Sequence, residues 1–344
     1  MTQAGRVGDH DIEDVRMKYR RFADVEAGTY SPLYHELSHA VASDDELLGF
    51  ITSMPEPQPN LFFASVQYLT GAGSMPTTLR DLKGFVEARR NDVSDLMLSR
   101  RTQTNEVGRC TAILPALPPG PLALLEVGAS GGLCLLLDHY SYDFAGVRLG
   151  DPLSQVHLRC AQVGPIPIPV PASLPRVEWR RGLDLQPIDV GRPEESDWLL
   201  ACVWADHEER RERLRAAIDV ARTNPVRLDA GDLTTDLPRI LDQAPAGATL
   251  VVFHSAVLHY LRPDARAAFA ATLADYSLGR DLFWISNDAP GVLPDLDRGA
   301  PARPDLKFRL GRAIFSGGRG ELELLGLAHY HGWDLEWLAG ADHG

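Results

Sequence analysis

The chain has 344 residues, of which 44% are hydrophobic and 24% are charged, and its formal net charge is −13. A chain of this length can form two domains, and its composition is that of a globular protein with a sizeable core. A protein that binds nucleic-acid phosphates needs a basic face, so the negative net charge disfavours nucleic-acid partners.

The compartment is predicted from three further features. The four cysteines form neither a CxxC pair nor a zinc-ligand spacing, which indicates a reducing environment without disulfides. The first residues are polar and acidic, unlike a secretory signal. No stretch approaches the roughly 18 apolar residues of a membrane span. We therefore expect a cytoplasmic protein with no membrane partner.

Residues 1–115 are predicted to form a helical N-terminal lobe, because their apolar residues recur at helical spacing. The dipeptide Ser31-Pro32 is typical of an N-cap followed by the first helical position. Ser43 and Glu46, three residues apart, predict a capping box for the next helix. The proline-rich segment 115–121 then indicates a stiff linker between domains.

Residues 121–340 are predicted to form a Rossmann-like α/β domain, a doubly wound and mostly parallel sheet with an antiparallel C-terminal hairpin at its edge. The apolar run 122–127 is typical of a strand buried on both faces. Further strands are predicted at 177–183, 225–230, 248–254, 280–286, 309–316 and 321–329, and helices at 133–139, 197–222 and 263–276. The proline-rich residues 141–176 interrupt this alternation and are interpreted as an insertion.

The turn after the first strand has the sequence Glu126-Val-Gly128-Ala-Ser130-Gly-Gly132. Glycine has no Cβ and tolerates positive φ, so such a turn lets a ligand approach the backbone closely. A following helix directs its free N–H groups to the same place. A tight strand-to-helix connection without a ligand has the same pattern, so the turn alone is ambiguous.

Acidic residues at the ends of successive strands narrow this choice. Asp184 ends the second predicted strand, where a carboxylate can accept two hydrogen bonds from a ribose diol. Asp232 follows the third strand and can accept from an adenine amino group, with Leu233 against the ring. Ser255 ends the fourth strand. All of them fall at C-terminal strand ends, where open α/β sheets bind their ligands.

This order of motifs resembles that of class I S-adenosylmethionine-dependent methyltransferases, over roughly residues 120–338. The turn at 126–132 is similar to their first motif, and the segments 182–187 and 231–233 are similar to their ribose-binding and adenine-binding turns. Residues 251–261 resemble the strand and loop beneath the transferred methyl group. The resemblance implies S-adenosylmethionine as the cofactor and methyl transfer as the reaction.

One departure from the methyltransferase pattern leaves the ribose ligand open. Glu126 and Asp184 are further apart in the sequence than is usual, which requires residues 141–176 to loop out of the domain. If they do not, Asp151 is the alternative ribose ligand.

The chain also resembles, nearly from end to end, a family of unknown function found mainly in actinobacteria. The resemblance rests on residues 31–34, 126–133, 181–187, 201–210 and 254–261. It implies no particular substrate.

Methyl transfer is an in-line displacement, in which a general base helps when the acceptor is a hydroxyl or an ammonium group. The predicted catalytic residues are His259, His254 and Tyr260, with His259 first among them. Other polar side chains expected near the same edge are Asn287, Asp288, Asp206 and His207. No metal site is predicted, since residues 206–208 lack paired ligand spacing. The acidic charge favours a small-molecule acceptor, in a pocket that the helical lobe would cover.

Other functions stay open at the level of sequence. The same fold can serve a regulatory protein that binds S-adenosylmethionine or a nucleotide without catalysis. Gly128-Ala-Ser130-Gly-Gly132 also has the letters G-x-S-x-G, in which Ser130 would be the nucleophile of a serine hydrolase, although its strand is the first of the series. A dinucleotide-binding turn needs G-x-G-x-x-G, a pattern that Ser130 interrupts.

Overall fold

The computed structural model describes residues 11–28, 30–301 and 306–340. Contacts within the chain divide it into two compact units. A helical unit comprises the residues up to 104 together with 191–215. A sheet unit comprises 105–190 together with the residues from 216 onward.

Helices and strands alternate through most of the sheet unit. In chain order the α-helices are α1 (Ile12–Arg21), α2 (Pro32–Ala42), α3 (Asp45–Thr52), α4 (Pro59–Thr70), α5 (Leu79–Ala88), α6 (Arg90–Ser99), α7 (Cys110–Ala116), α8 (Pro193–Ala201), α9 (Glu208–Thr223), α10 (Leu237–Leu241), α11 (Pro263–Tyr276) and α12 (Pro294–Arg298). The strands are β1 (Pro121–Val127), β2 (Ser141–Phe144), β3 (Val147–Leu149), β4 (His157–Gln162), β5 (Arg176–Asp184), β6 (Arg227–Ala230), β7 (Thr249–Ser255), β8 (Leu282–Asp288), β9 (Phe308–Phe315), β10 (Leu322–Ala328) and β11 (Asp334–Trp337). A π-helical turn covers Phe22–Ala27, and 3-10 helices cover Val107–Arg109, Leu133–His139 and Leu258–Tyr260. None of the helices in the described ranges combines the length and the apolar character that crossing a lipid bilayer requires.

Aromatic packing stabilises the helical unit. Tyr34 on α2 stacks on Trp204, with ring centroids 5.1 Å apart and ring planes 15° from parallel. Ser31 caps α2 by accepting a hydrogen bond from the Tyr34 amide, as the sequence predicts, and its hydroxyl donates to the carboxylate of Asp206. The predicted helix 197–222 is divided into α8 and α9, because the segment between them, which contains Trp204, packs against α2.

The cap predicted for α3 is wrong by one residue. Asp44, not Ser43, is the N-cap, since its carboxylate accepts hydrogen bonds from the amides of Glu46 and Leu47. The Ser43 hydroxyl donates instead to a carbonyl group of α2. An ionised carboxylate at a helix N-terminus also interacts favourably with the helix dipole, and so it replaces the neighbouring hydroxyl as the cap.

The sheet unit confirms the predicted fold class. Its sheet has the strand order β3-β2-β4-β11-β10-β9-β8-β7-β1-β5-β6. Strands β6, β5, β1, β7 and β8 are parallel neighbours, and numbered by their place in the chain they follow the doubly wound order 3-2-1-4-5. The order reverses between β1 and β7, so the C-terminal ends of these two strands form the edge at which such sheets bind ligands.

The antiparallel hairpin of β9 and β10 follows β8 as predicted, but it lies inside the sheet. Strand β10 pairs with β11, which pairs in parallel with β4, and β4 continues the sheet to β2 and β3. Strands β2, β3 and β4 come from residues 141–176, the segment interpreted as an insertion. This segment therefore extends the sheet beyond the hairpin.

Strand β1 lies within the apolar core of the sheet unit. Residues 122–127 are buried, as expected of a strand between two parallel neighbours. Ala123 and Leu125 of β1 pack in one cluster with Phe269 of α11 and Trp284 of β8. The helix predicted after the turn of β1 is a 3-10 helix rather than an α-helix.

Gly182 on β5 leaves room for the turn that follows β1. A Cβ atom at this position would lie 2.4 Å from Leu228 Cδ2 and 2.6 Å from Ala129 Cβ. Gly182→Ala is therefore expected to lower the free energy of unfolding by about 1–3 kcal/mol, the usual cost of overpacking a core. Urea denaturation measures this change. Gly247→Ala is the matched control, because nothing lies within 4 Å of its Cβ position, and an equal loss in both variants would contradict the packing explanation.

Candidate functional site

The turn after β1 has left-handed backbone at Gly128 (φ 69°), Ser130 (φ 51°) and Gly132 (φ 70°). A Cβ atom at Gly128 would lie 2.4 Å from Val257 Cγ2, and one at Gly132 would lie 2.9 Å from Leu228 Cδ2. Both glycines are thus required by backbone conformation and by packing against other side chains of the protein. The space that a Gly128 side chain would fill is occupied by Val257.

Most amides of this turn form hydrogen bonds within the protein. These bonds run from Gly128 and Ala129 to the Leu183 carbonyl, from Gly132 to the Ala129 carbonyl, from Ser130 to the Asp184 carboxylate and from Leu133 to the Asn105 side chain. A phosphate-binding turn keeps such amides directed at the anion. The turn is therefore not built as a phosphate cradle.

Asp184 connects this turn to the ends of the neighbouring strands. Its Oδ2 accepts from the Ser130 amide and its Oδ1 from the Gln186 amide, each at 2.8 Å, while its carbonyl accepts from the Gly231 amide at 2.9 Å. Each carboxylate oxygen can accept one more hydrogen bond. The alternative ribose ligand, Asp151, follows β3 at the far end of the strand order. Asp184 is therefore the carboxylate that contacts the turn.

Asp232 and Leu233 follow β6 and have different surroundings. The exposed Asp232 carboxylate accepts from the amide and the hydroxyl of Thr234, at 2.7 and 2.6 Å. These hydrogen bonds lower the pKa of Asp232. Leu233 is half-buried and packs against the apolar core of the sheet unit.

Glu126 near the end of β1 carries a buried carboxyl group, with 4% of the residue exposed. Among the described residues, its Oε2 has no hydrogen-bond partner. Burial raises the pKa of Glu126 well above its ordinary value, and Cys134 and Asp184 raise it further against the opposing charge of Arg109. Burial thus disfavours the ionised form of this carboxyl group, whereas a cationic neighbour would favour it.

Asp288 at the end of β8 fixes the loop that follows β7. Its Oδ2 accepts from the amides of Val257 and Leu258 at 3.0 and 2.8 Å. Its Oδ1 accepts from His259 Nδ1 and from the next backbone amide, both at 3.0 Å. Burial alone would raise the pKa of Asp288, but the ring nitrogens of His254 and His259 outweigh it and hold that pKa well below its ordinary value. The carboxylate is therefore ionised and organises the loop.

The three predicted catalytic side chains differ in their access to solvent. The side chain of His259 is 32% exposed, and because the Asp288 carboxylate can only accept, Nδ1 is the donor of this hydrogen bond and Nε2 is the ring nitrogen that does not face Asp288. Tyr260 is 79% exposed, with its ring centroid 3.9 Å from that of His259. His254 is completely buried among aromatic rings, with Nδ1 3.5 Å from Asp288 Oδ2. Of the three, His259 combines an orienting carboxylate with access to solvent.

Ser255 ends β7 beside the end of β8. Its hydroxyl accepts from Asn287 Nδ2 at 3.0 Å, and its carbonyl accepts from Arg109 Nη1 at 3.2 Å. Arg109 Nε also donates to the Tyr330 carbonyl, at 2.9 Å. Tyr330 lies in the loop after β10, whose C-terminal end is at the same edge of the sheet as that of β8. Arg109 thereby joins the ends of β7 and β10.

Three side chains that shape this edge were not predicted from the sequence, namely Asn105, Arg109 and Val257. Asn105 Nδ2 donates to the Ala129 carbonyl at 3.3 Å, and its Oδ1 accepts from the Leu133 amide at 3.0 Å. Asn105 and Arg109 precede the proline-rich linker in the sequence and belong to the sheet unit. Polar residues just before that linker were their only signal. Val257 had none, because its role depends on contact with Gly128.

Asp206 and His207, two further residues considered from sequence, belong to the helical unit. Asp206 accepts from the Ser31 hydroxyl. His207 donates through Nε2 to the Tyr30 carbonyl, 2.9 Å away. Both side chains therefore have structural contacts within that unit.

Replacing Asp288 tests its role as the centre of this site. Asp288→Asn puts an amide donor against backbone or imidazole donors, and we expect it to lower the free energy of unfolding at neutral pH by at least about 1–3 kcal/mol. Because folding lowers the pKa of this carboxyl group, its contribution is complete above the unfolded value of about 3.9 and is lost as the pH falls from there toward the folded value. The stability difference between wild type and variant should therefore shrink below about pH 4.

Urea denaturation at pH 7 and pH 3 measures both effects. The control is Asp264→Asn, which removes an exposed carboxylate paired with the exposed Arg262 and should change little. A difference between wild type and Asp288→Asn that is the same at both pH values would contradict the ionised role of Asp288.

The known proteins that resemble this chain identify a family but no activity. The model of a family described as "Uncharacterized protein conserved in bacteria (DUF2332)" matches residues 16–337. A search of curated proteins found no match. Since the family match spans most of the chain, the protein belongs to this uncharacterised bacterial family.

Proposed function

We propose that the protein is an S-adenosylmethionine-dependent methyltransferase that acts on a small molecule. The 3-2-1-4-5 order of its parallel strands and the resemblance of its strand-end motifs to class I methyltransferases support the proposal. The observation that carries it is the pair of acidic groups, Glu126 and Asp184, at the glycine-rich turn. Most amides there are used within the protein, while the carboxyl groups of Glu126 and Asp184 lie beside the turn. A turn of this kind suits a cationic ligand and disfavours the phosphates of a nucleotide.

The residues present fit this cofactor in charge and hydrogen-bonding capacity. S-adenosylmethionine supplies an electrophilic methyl group on a positively charged sulfur. The buried carboxyl group of Glu126 can take a cationic partner, Asp184 has acceptor capacity left for ribose hydroxyls, and the exposed Asp232 can accept from an adenine amino group. The remaining proposed contacts are Ser130, Gly132, Leu233 and Ser255.

Val257 limits how a ligand can use the turn. Its side chain lies against Gly128, where a Cβ atom would be only 2.4 Å from Val257 Cγ2. We therefore assign the principal cofactor contacts to the carboxyl groups beside the turn, and to Gly128 the role of admitting Val257. This assignment differs from the close backbone approach expected from sequence.

His259 is the proposed general base. Asp288 accepts the Nδ1 proton and so fixes the ring with Nε2 as the basic nitrogen. Nε2 can accept the proton of a hydroxyl acceptor as its oxygen attacks the methyl carbon in line, or the proton of an ammonium acceptor before its nitrogen attacks. The bond from the methyl carbon to the sulfonium sulfur would break, with S-adenosylhomocysteine as the leaving group. Tyr260, whose ring lies next to that of His259, is placed to contact the acceptor, and His254 supports Asp288 from the interior.

Calorimetric titration tests the cofactor. Wild type should bind S-adenosylmethionine and S-adenosylhomocysteine, and should bind ATP much more weakly because the amides of the turn are not directed at an anion. Asp184→Asn removes a carboxylate beside the turn, and Glu126→Gln replaces a carboxyl group that a bound cation would ionise with an amide that cannot ionise. Each is expected to weaken S-adenosylmethionine binding about 10- to 100-fold, the loss of one charge-assisted hydrogen bond.

Asp264→Asn is the matched control, since it removes one exposed negative charge from the protein without touching the turn. It should leave the affinity unchanged. Wild type that binds neither S-adenosylmethionine nor S-adenosylhomocysteine would overturn the cofactor assignment. If all three carboxyl substitutions weakened binding equally, the loss of affinity would be due to the net charge of the protein and not to contacts at the turn.

Turnover tests the general base. With S-adenosylmethionine labelled in its methyl group and a bacterial small-molecule extract as the acceptor pool, His259→Ala should slow methyl transfer about 10²- to 10⁴-fold while cofactor binding persists, because a positioned base contributes that much. His157→Ala, which removes an exposed histidine of β4, is the control and should retain wild-type turnover. Equal rates in wild type and His259→Ala would exclude His259 as the base.

The same preparations separate the other functions. Cofactor binding without transfer to any component of the extract would favour a non-catalytic regulatory protein. Ser130 has the positive φ of a strained strand-to-helix turn, which is also required of a hydrolase nucleophile. An esterase activity of wild type that Ser130→Ala abolishes would replace the methyltransferase with a serine hydrolase.

A further inference from the structure

Asp24, His35 and His39 form a cluster in the helical unit that none of the preceding assignments uses. Each offers one ligand atom, and these atoms all lie within 4.8 Å of one another. His35 and His39 are one turn apart on α2, with ring centroids 4.8 Å apart. Ligand atoms at about 2.0–2.2 Å from one tetrahedral ion are about 3.4 Å from each other, so small side-chain rotations would close the cluster on an ion.

His35 already has the orientation of a metal-binding histidine. Its Nδ1 lies 3.0 Å from the Ala23 carbonyl oxygen. Because a carbonyl oxygen can only accept, Nδ1 is the donor of this hydrogen bond, which leaves Nε2 as the ring nitrogen for an ion. Metal-ligating histidines commonly donate their second ring N–H to a carbonyl or carboxylate in this manner.

The carboxylate of the cluster comes from the π-helical turn Phe22–Ala27, in which the Gly28 amide bonds to the Ala23 carbonyl at 2.7 Å. Short π-helical segments are frequent at functional sites. The turn packs against α2 and brings Asp24 Oδ1 to 2.8 Å from His39 Nε2. The proton between these two atoms lies where an ion shared by them would bind.

The exposure and the ligand types indicate which ion would bind. The side chains of Asp24 and His39 are 60% and 42% exposed, so an ion held by them would be reached by solvent and would keep water as a ligand. Two imidazoles and one carboxylate suit zinc and neighbouring transition metals, whereas calcium and magnesium prefer oxygen ligands. Three protein ligands with an open position are typical of reactive zinc sites rather than closed structural ones.

We propose that Asp24, His35 and His39 bind a divalent transition-metal ion of the zinc class, with at least one coordination position open to water. The spacing of the two histidines on one face of α2 supplies two ligands from a rigid element, and the π-helical turn supplies the third. The site is independent of the proposed cofactor.

Titration of the full-length, chelator-treated protein tests this site. Co²⁺ should bind with one equivalent per chain and give the visible absorption of a low-coordinate cobalt–imidazole complex, and Zn²⁺ should displace it. Single substitutions His35→Ala, His39→Ala and Asp24→Asn each remove a ligand and should weaken binding by more than the roughly 10- to 100-fold loss typical of an outer-shell partner.

Glu36→Gln is the matched control. Glu36 lies on the exposed side of the same helix, and its substitution removes one charge without removing a ligand. It should bind Co²⁺ as wild type does. Binding of one equivalent that persists in the double variant His35→Ala/His39→Ala, or a wild type that binds no tighter than this variant, would overturn the proposal. A second readout uses wild type alone: Zn²⁺ should shift the ring ¹⁵N signals of two histidines, and a titration that shifts none overturns it as well.

Discussion

The geometry of the candidate site depends on the hydrogen bonds that the Asp288 carboxylate accepts. Three donors from the loop after β7 converge on it, namely the amides of Val257 and Leu258 and the ring of His259. The same loop begins at Ala256, whose φ of 58° is a left-handed conformation that costs a residue other than glycine of order 1–3 kcal/mol. The hydrogen bonds to an ionised, buried acceptor offset that strain. Without them, neither the ring of His259 nor the side chain of Val257 would have a fixed position.

The loop held by Asp288 also connects the two halves of the sheet. The half formed by β1, β5 and β6 carries the carboxyl groups Glu126, Asp184 and Asp232, and the half formed by β7 and β8 carries the histidine. They meet where Val257 packs on Gly128, between the neighbouring strands β1 and β7. The glycine at that position is explained by this contact, so the glycine-rich turn serves first to join the two halves. A ligand at this edge would lie against a surface built from both.

The sequence predicted features that depend on neighbouring residues and failed where distant contacts decide. The apolar run of β1, the cap of α2 and the carboxylate of Asp184 at a strand end follow from short segments, and the structure has all three. The continuation of the sheet from β11 to β4 joins segments far apart in the chain, which no local pattern records. The cap of α3 shifted to Asp44 because two adjacent residues could serve and the charged one is the better acceptor.

The candidate site shows the same division. Asp184 could be predicted because acidic residues at strand ends are visible in order along the chain, whereas its bond to the Ser130 amide could not. The spacing of His35 and His39 is equally visible in the sequence. Their acidic neighbour is supplied by a π-helical turn, whose i→i+5 register differs from the α-helical period that sequence patterns assume. Helical or strand periodicity alone therefore does not predict residues that function through contacts between elements.

Glu126 shows how this edge can select its ligand by charge. Burying its carboxyl group raises its pKa, which disfavours the ionised form of a side chain whose Oε2 has no partner among the described residues. A cationic group placed beside it favours the ionised form, and binding of the cation and release of the proton then become coupled. An anion at the same place would meet Glu126, Asp184 and a turn whose amides mostly bond elsewhere. Under the proposed function, this edge favours a sulfonium or an ammonium group over a phosphate before any contact with the rest of the ligand is made.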